Sequence, residues 1–154
     1  MFLLKRKIDI HSKRRGVAGR LSNFTRRDFV FDGVPCRSIE GVLQSLKYEN
    51  VAEQKIVCGL WGIQAKLAGE PKNNWKNTQT LYWNSKAYKR ESAEYRELIT
   101  SLYRAVYKQD EQFKKDIRKT KGRKLIHSIG NPDPTDTVLT EKEFLSQLIN
   151  LQGE

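Results

Sequence analysis

The stretch Gly19 to Lys47, GRLSNFTRRDFVFDGVPCRSIEGVLQSLK, constrains the fold of this chain more than any other. It opens as a polar turn around Ser22 and Asn23 and passes into an alternating run, Phe29-Val30-Phe31. Asp32-Gly33 interrupts that run, and Val34-Pro35-Cys36 returns from it. Asp-Gly between apolar segments predicts a tight hairpin turn, since Gly33 takes positive φ at no steric cost. Ser38 then stands as an N-cap, its hydroxyl oxygen free to accept from an orphan amide of the first helical turn.

A helix begun at Ser38 puts Ile39, Val42, Leu43 and Leu46 on one core-facing stripe. Glu40, Gln44 and Lys47 fall at i, i+4 and i+7 on a neighbouring stripe. Such a row is usually a solvated ladder, but Glu and Lys seven apart are too distant for the ordinary surface pair. Glu40 in the first turn is expected to be ionised, because the macrodipole favours negative charge there.

Around this stretch the 154 residues predict one domain, 1–154, large enough for a core. Ile8 to His11 alternates and predicts a first strand; Ala52, Ile56, Leu60, Ile63 and Leu67 predict a second helix, ended by Gly69 and Pro71. Lys72 to Thr80 reads as a loop or a poor, Asn-rich helix, and Ser85 to Lys108 as a long helix burying Tyr95, Leu98, Ile99, Leu102 and Val106. A shorter helix carries Phe113 and Ile117, and Leu125 to Ile129 is a strand candidate. GNPDPTDT, from Gly130 to Thr137, is an ordered loop or lid. Thr140 with Glu143 forms a capping box for a last helix. The expected class is α+β, mostly α-helical with a small N-terminal β-sheet.

Net charge is +11, with excess in Lys5 to Arg27 and again in Lys114 to Lys124. That field attracts phosphates, nucleotides and nucleic acid, and it equally serves solubility. No apolar run approaches the roughly 20 residues of a membrane span. Met1-Phe-Leu-Leu, followed by Lys5-Arg6-Lys7, has the wrong length and order for a signal peptide, so a cytoplasmic protein is expected. Cys36 and Cys58 are expected as reduced thiols, and two cysteines with two histidines off ligand spacing predict no metal.

LSNF, an apolar run ending in Asp-Gly, then Ser38-x-Glu40 and Gln44-x-x-Lys47, resembles in order and spacing the signature of the NADAR superfamily, also called YbiA-like. Where that family has His after the Glu, this chain has Gly41. The resemblance implies the YbiA-like fold, no cofactor, and cleavage of an N-glycosidic bond in a ribose-phosphate or ADP-ribose conjugate such as ADP-ribosylated guanine, possibly carried on nucleic acid. Such cleavage passes through an oxocarbenium-like state and needs a carboxylate, plus a route for protonating the leaving nitrogen.

Glu40 falls on the family's catalytic Glu. Asp133, with Asp136 in reserve, is the expected second carboxylate, although aspartates beside prolines are commonly turn-formers. His127 stands where the family has Glu and is an acid–base candidate or a strand residue. Gln44 and Lys47 are expected to hold ribose or phosphate, Asn23 and Phe24 to form the pocket, and Arg20 to meet a pyrophosphate. Trp83, in Trp83-Asn84-Ser85-Lys86, matches the family's W-x-x-K and is expected to stack on the substrate; the alternative is a core Trp83. The family's W-G-x-G loop has no counterpart here. Two other classes stay open: a degenerate relative that binds such ligands or a nucleic acid or protein partner without turnover, and an accessory protein with Trp61, Trp75 and the tyrosines as anchors.

Overall fold

The computed structural model describes residues 6–154; the Met1-Phe-Leu-Leu segment lies outside them. The order is β1 (Ile8–Asp9), α1 (Gly16–Arg20), β2 (Phe29–Phe31), β3 (Val34–Cys36), α2 (Ile39–Ser45), α3 (Val51–Cys58), α4 (Gly62–Gly69), α5 (Asn74–Thr78), β4 (Thr80–Trp83), β5 (Lys86–Lys89), α6 (Ala93–Gln109), α7 (Glu111–Lys119), β6 (Leu125–Ile126) and α8 (Glu141–Gln152). The strands form three separate pairs rather than one N-terminal sheet. β1 runs parallel to β6, with Ile8 opposite Leu125, while β2–β3 and β4–β5 are antiparallel hairpins. The class is α+β, dominated by helix.

Long α6 is the central element. Its buried face, Tyr95, Leu98, Ile99, Leu102, Tyr103, Val106 and Tyr107, follows helical spacing. Against it pack β2, β5, α2, α7 and α8. The first hairpin turns at Asp32 (φ 48°) and Gly33 (φ 78°), the left-handed pair its sequence predicts. Ser38 caps α2 by accepting from Gly41 N, and Thr140 with Glu143 forms the complete capping box of α8.

Two expectations are corrected. The helix expected through Ala52 to Leu67 is two, α3 and α4, broken at Gly59 to Trp61. The break arises because α2 docks on the carbonyl end of α3. Arg37 N donates to Cys58 O at 2.9 Å and the Ser38 hydroxyl donates to Leu60 O at 2.7 Å. A Cβ on Gly41 would stand 2.7 Å from Leu60 O and 2.9 Å from Val57 O. No side chain fits there, so the position where the family carries His is closed by packing.

The second correction concerns the long helix, which begins only at Ala93 behind its Ser92 cap. The residues before it form the β4–β5 hairpin, turning at Asn84 (φ 50°) and Ser85 (φ 74°). Ser85 is therefore a turn residue, not a helix start. Of the two readings of Lys72 to Thr80, the short Asn-rich helix is the one found: α5, which sets Trp75 into the core. Both cysteines are buried free thiols.

Candidate functional site

The LSNF turn and the start of α2, separated by the hairpin in sequence, meet in space. Ser22 Oγ accepts from Phe24 N at 3.1 Å, which tightens the turn, and Glu40 N donates to Asn23 O at 3.0 Å. Phe24 O accepts from Gly62 N at the head of α4. The motif's two halves are thus parts of one wall.

That wall borders a cleft of about 300 Å³. Asn23, Phe24, Glu40 and Gln44 line one side; His127, the segment Ile129 to Asn131, Thr137 to Thr140, and Phe144 of α8 line the other; exposed Lys66 of α4 stands at its margin. Glu40 is the single carboxylate among the lining residues. Gln44 Nε2 donates to Glu40 Oε1 at 2.8 Å, and the buried Gln44 Oε1 has no partner among the described residues.

For Glu40, burial acts against the ionised form that the helix start favours. Burial pushes its pKa above the ordinary carboxylate range, and the Gln44 hydrogen bond and the charges of Lys47, Lys66 and His127 pull the other way without cancelling it. Across the cleft, His127 Nδ1 lies 2.7 Å from Ile10 O. A carbonyl only accepts, so Nδ1 carries a proton and Nε2 is the nitrogen left for chemistry. The ring packs edge-on against Phe144 at 4.9 Å.

The other expected residues lie apart from this cleft. Lys47 faces a neighbouring groove with Tyr48, Lys72 and Trp75, and its Nζ is 3.4 Å from Gly69 O. Arg20 is committed to Asp116, donating from Nε and Nη2 at 2.9 Å each. Asp133 is exposed and does not line the cleft; its Oδ1 accepts from Thr135 N and Oγ1 at 2.9 and 2.8 Å, a local turn. Asp136 pairs with Lys76 at 2.8 Å and with Asn131. Trp83 is 3 % exposed, stacked on Phe31 at 5.0 Å, with Nε1 donating to Asp32 at 2.7 Å. It takes the core alternative, and Trp75 is equally buried.

Sequence reasoning missed Lys66, Thr140 and Phe144 as cleft residues. Lys66 carries no signal beyond that of a basic residue in a last helical turn, Thr140 signals only the cap of α8, and Phe144 only its buried face. A wider, open groove of about 850 Å³ lies elsewhere, between Arg26, Arg37, Lys55 and the β2–β3 hairpin. It holds Asp28 but none of Asn23, Phe24, Glu40, Gln44 and Lys47. Among the described residues no group of three or more His, Cys, Asp or Glu could hold a metal ion, and no helix is long and apolar enough to cross a membrane.

Comparison with known proteins bears on the fold and the family. The whole fold is similar to the NMR structure of the E. coli protein YbiA, with a TM-score of 0.66 at 14% identity, covering 99% of this chain and 86% of that one. The NADAR, YbiA-like resemblance of the motif is therefore matched by the fold. In sequence the chain is 35% identical over 142 residues to an uncharacterised 17.1 kDa protein from the Gp30-rIII intergenic region of Enterobacteria phage T4, covering 92% of this chain and 93% of the relative. Residues 15–153 match the family described as bacteriophage protein GP30.3, and the chain belongs to that family.

Proposed function

We propose that the protein is an N-glycosidase of ribose conjugates, with ADP-ribosylated guanine as the model substrate, acting in the cytoplasm. The observation that carries this reading is Glu40, a half-buried carboxylate with a raised pKa, held by Gln44 in the cleft that the motif borders. In the reaction the C1–N bond breaks, its electron pair leaves with the base nitrogen, and that nitrogen takes a proton. A water oxygen bonds to C1 and gives its proton to Glu40. The Glu40 charge stabilises the oxocarbenium-like state, and the raised pKa favours proton acceptance. His127 in its doubly protonated form, with Nδ1–H kept on Ile10 O, is the candidate donor through Nε2 to the leaving nitrogen and becomes the neutral Nδ1–H imidazole, and Lys66 is the candidate phosphate contact.

The test is turnover of ADP-ribosylated guanosine by the wild-type protein and by Glu40→Gln. Loss of one such charge typically costs about a hundredfold to a thousandfold in rate. Unchanged turnover in Glu40→Gln would leave Glu40 without a catalytic role.

A second reading, a ligand-binding relative without turnover, is favoured by the lone carboxylate in the cleft. Where two carboxylates ordinarily divide the work, Asp133 faces solvent. Binding of the conjugate with no product release would select this reading.

A further inference from the structure

Tyr103 lies in the middle of α6, wholly buried, behind the wall that carries Asn23. Its hydroxyl is 2.8 Å from Asn23 Oδ1, and no other hydrogen-bond partner of that hydroxyl occurs among the described residues. A tyrosine hydroxyl has one proton to give, while an amide can present either its oxygen or its NH2 group. Were the NH2 turned to Tyr103, the hydroxyl proton would be buried without an acceptor, which folded proteins avoid. The amide therefore points its oxygen at Tyr103 and its nitrogen away.

That nitrogen has no partner among the described residues, and the half-buried side chain lines the cleft. Its backbone is fixed as well, because Asn23 O accepts from Glu40 N at 3.0 Å. Of the Glu40 carboxylate, Oε1 is taken by Gln44. An oriented donor, Asn23 Nδ2, thus belongs to the same rigid unit as the carboxylate.

The geometry points to Tyr103 as a positioning residue that holds the Asn23 NH2 toward the cleft, where it donates to the 2-hydroxyl oxygen of the ribose being cleaved. This rests on the glycosidase reading of the cleft. If Glu40 attends the anomeric carbon, the substituent one bond along the ring is the 2-hydroxyl. Contacts to that hydroxyl strengthen as the ring becomes cationic, so a fixed donor there favours the transition state. An amide free to rotate would present its oxygen part of the time and lose that preference.

The experiment compares wild-type, Asn23→Asp and Tyr103→Phe proteins on ADP-ribosylated guanosine and on its analogue lacking the 2-hydroxyl of the cleaved ribose. Asn23→Asp keeps an oxygen for the Tyr103 proton but removes the cleft donor. Its kcat/KM ratio between the two substrates is expected to fall about tenfold from the wild-type ratio, the factor of one ordinary hydrogen bond. Taking the ratio cancels the intrinsic reactivity of the analogue and any general effect of the new charge near Glu40. Tyr103→Phe should lower the same ratio less, mainly through kcat. A wild-type ratio in Asn23→Asp would overturn the proposal.

In the free protein, a strong NOE between the Tyr103 hydroxyl proton and the Asn23 NH2 protons would also overturn it, by placing the amide the other way round. Should the wild-type protein turn over neither substrate, the glycosidase reading falls. The ribose contact is then read from ADP-ribose titration. Movement of the Asn23 NH2 resonances that is lost in Tyr103→Phe supports it, and resonances that stay in place end it.

Discussion

Gln44 Nε2 donates to Glu40 Oε1 at 2.8 Å, one turn apart on α2, and this bond is the pairing that the Glu-x-x-x-Gln spacing sets up. It stabilises the carboxylate form, yet burial still leaves the Glu40 pKa raised. The sign for stability follows. A carboxyl whose pKa is higher folded than unfolded binds its proton more tightly in the native state. Its contribution is fully present below the unfolded pKa and is lost as pH rises through the folded pKa. Deprotonating Glu40 as pH rises therefore costs stability. Glu40→Gln is expected to raise the thermal midpoint at pH 7 and to do so less at pH 4. A lower midpoint at pH 7 would refute the burial argument.

Trp83→Phe separates core from site. The change removes the Nε1 bond to Asp32 and part of the stack on Phe31. Unfolding stability should drop by about 1–2 kcal/mol, while affinity for an ADP-ribose conjugate stays at the wild-type value. A selective loss of affinity without loss of stability would return Trp83 to the ligand.

Arg90 and Glu143 tie the β4–β5 hairpin to the loop and helix that roof the cleft. Arg90 is 1% exposed; its Nη1 and Nη2 reach the Glu143 carboxylate at 3.1 and 2.6 Å, and its Nε donates to Thr137 O. Burial alone would raise the Glu143 pKa, but the Arg90 fork and the Thr140 amide outweigh it and hold the pKa below the ordinary range. This contribution is present above the unfolded pKa and is lost as pH falls through the lower, folded one. Glu143→Gln leaves a buried guanidinium uncompensated and should cost about 3 kcal/mol at pH 7. The deficit should shrink in acid. Denaturant titrations of both proteins at pH 7 and pH 3 check it, and parallel pH dependences would contradict the linkage.

What could be read from the sequence was local. The Asp32-Gly33 turn, the Ser38 cap, the Thr140–Glu143 box and the α6 stripe each depend on residues within a few positions of one another. The elements misread were those fixed by distant partners. The break between α3 and α4 lies where Arg37 N and the Ser38 hydroxyl, just before α2, donate to the carbonyls of Cys58 and Leu60. Ser85 adopts a left-handed conformation that serine seldom takes, inside a hairpin whose pairing offsets the cost. In the site, motif spacing brought Asn23, Phe24, Glu40 and Gln44 together. Lys47, one turn beyond Gln44, is carried past the cleft into the next groove. Asp133 is turned outward by its own bonds to Thr135, a preference that the NPDPT sequence already contains.

Gly41 supplies the last expected outcome, because two effects of known size oppose each other there. Replacing a helical Gly by Ala ordinarily gains about 1 kcal/mol of helix propensity. Here the new Cβ would stand 2.7 Å from Leu60 O and 2.9 Å from Val57 O, both backbone atoms held in place by neighbouring hydrogen bonds. Overpacking against a rigid neighbour costs about 1–3 kcal/mol, and the contact with two carbonyls sets the cost at the upper end. Gly41→Ala should therefore be destabilised despite its better propensity, and Gly41→His more so, with no gain in turnover. Urea midpoints of the two variants measure the order. A Gly41→His protein as stable as the wild type would mean that α2 is not seated on the end of α3, and the placement of Glu40 would have to be revised with it.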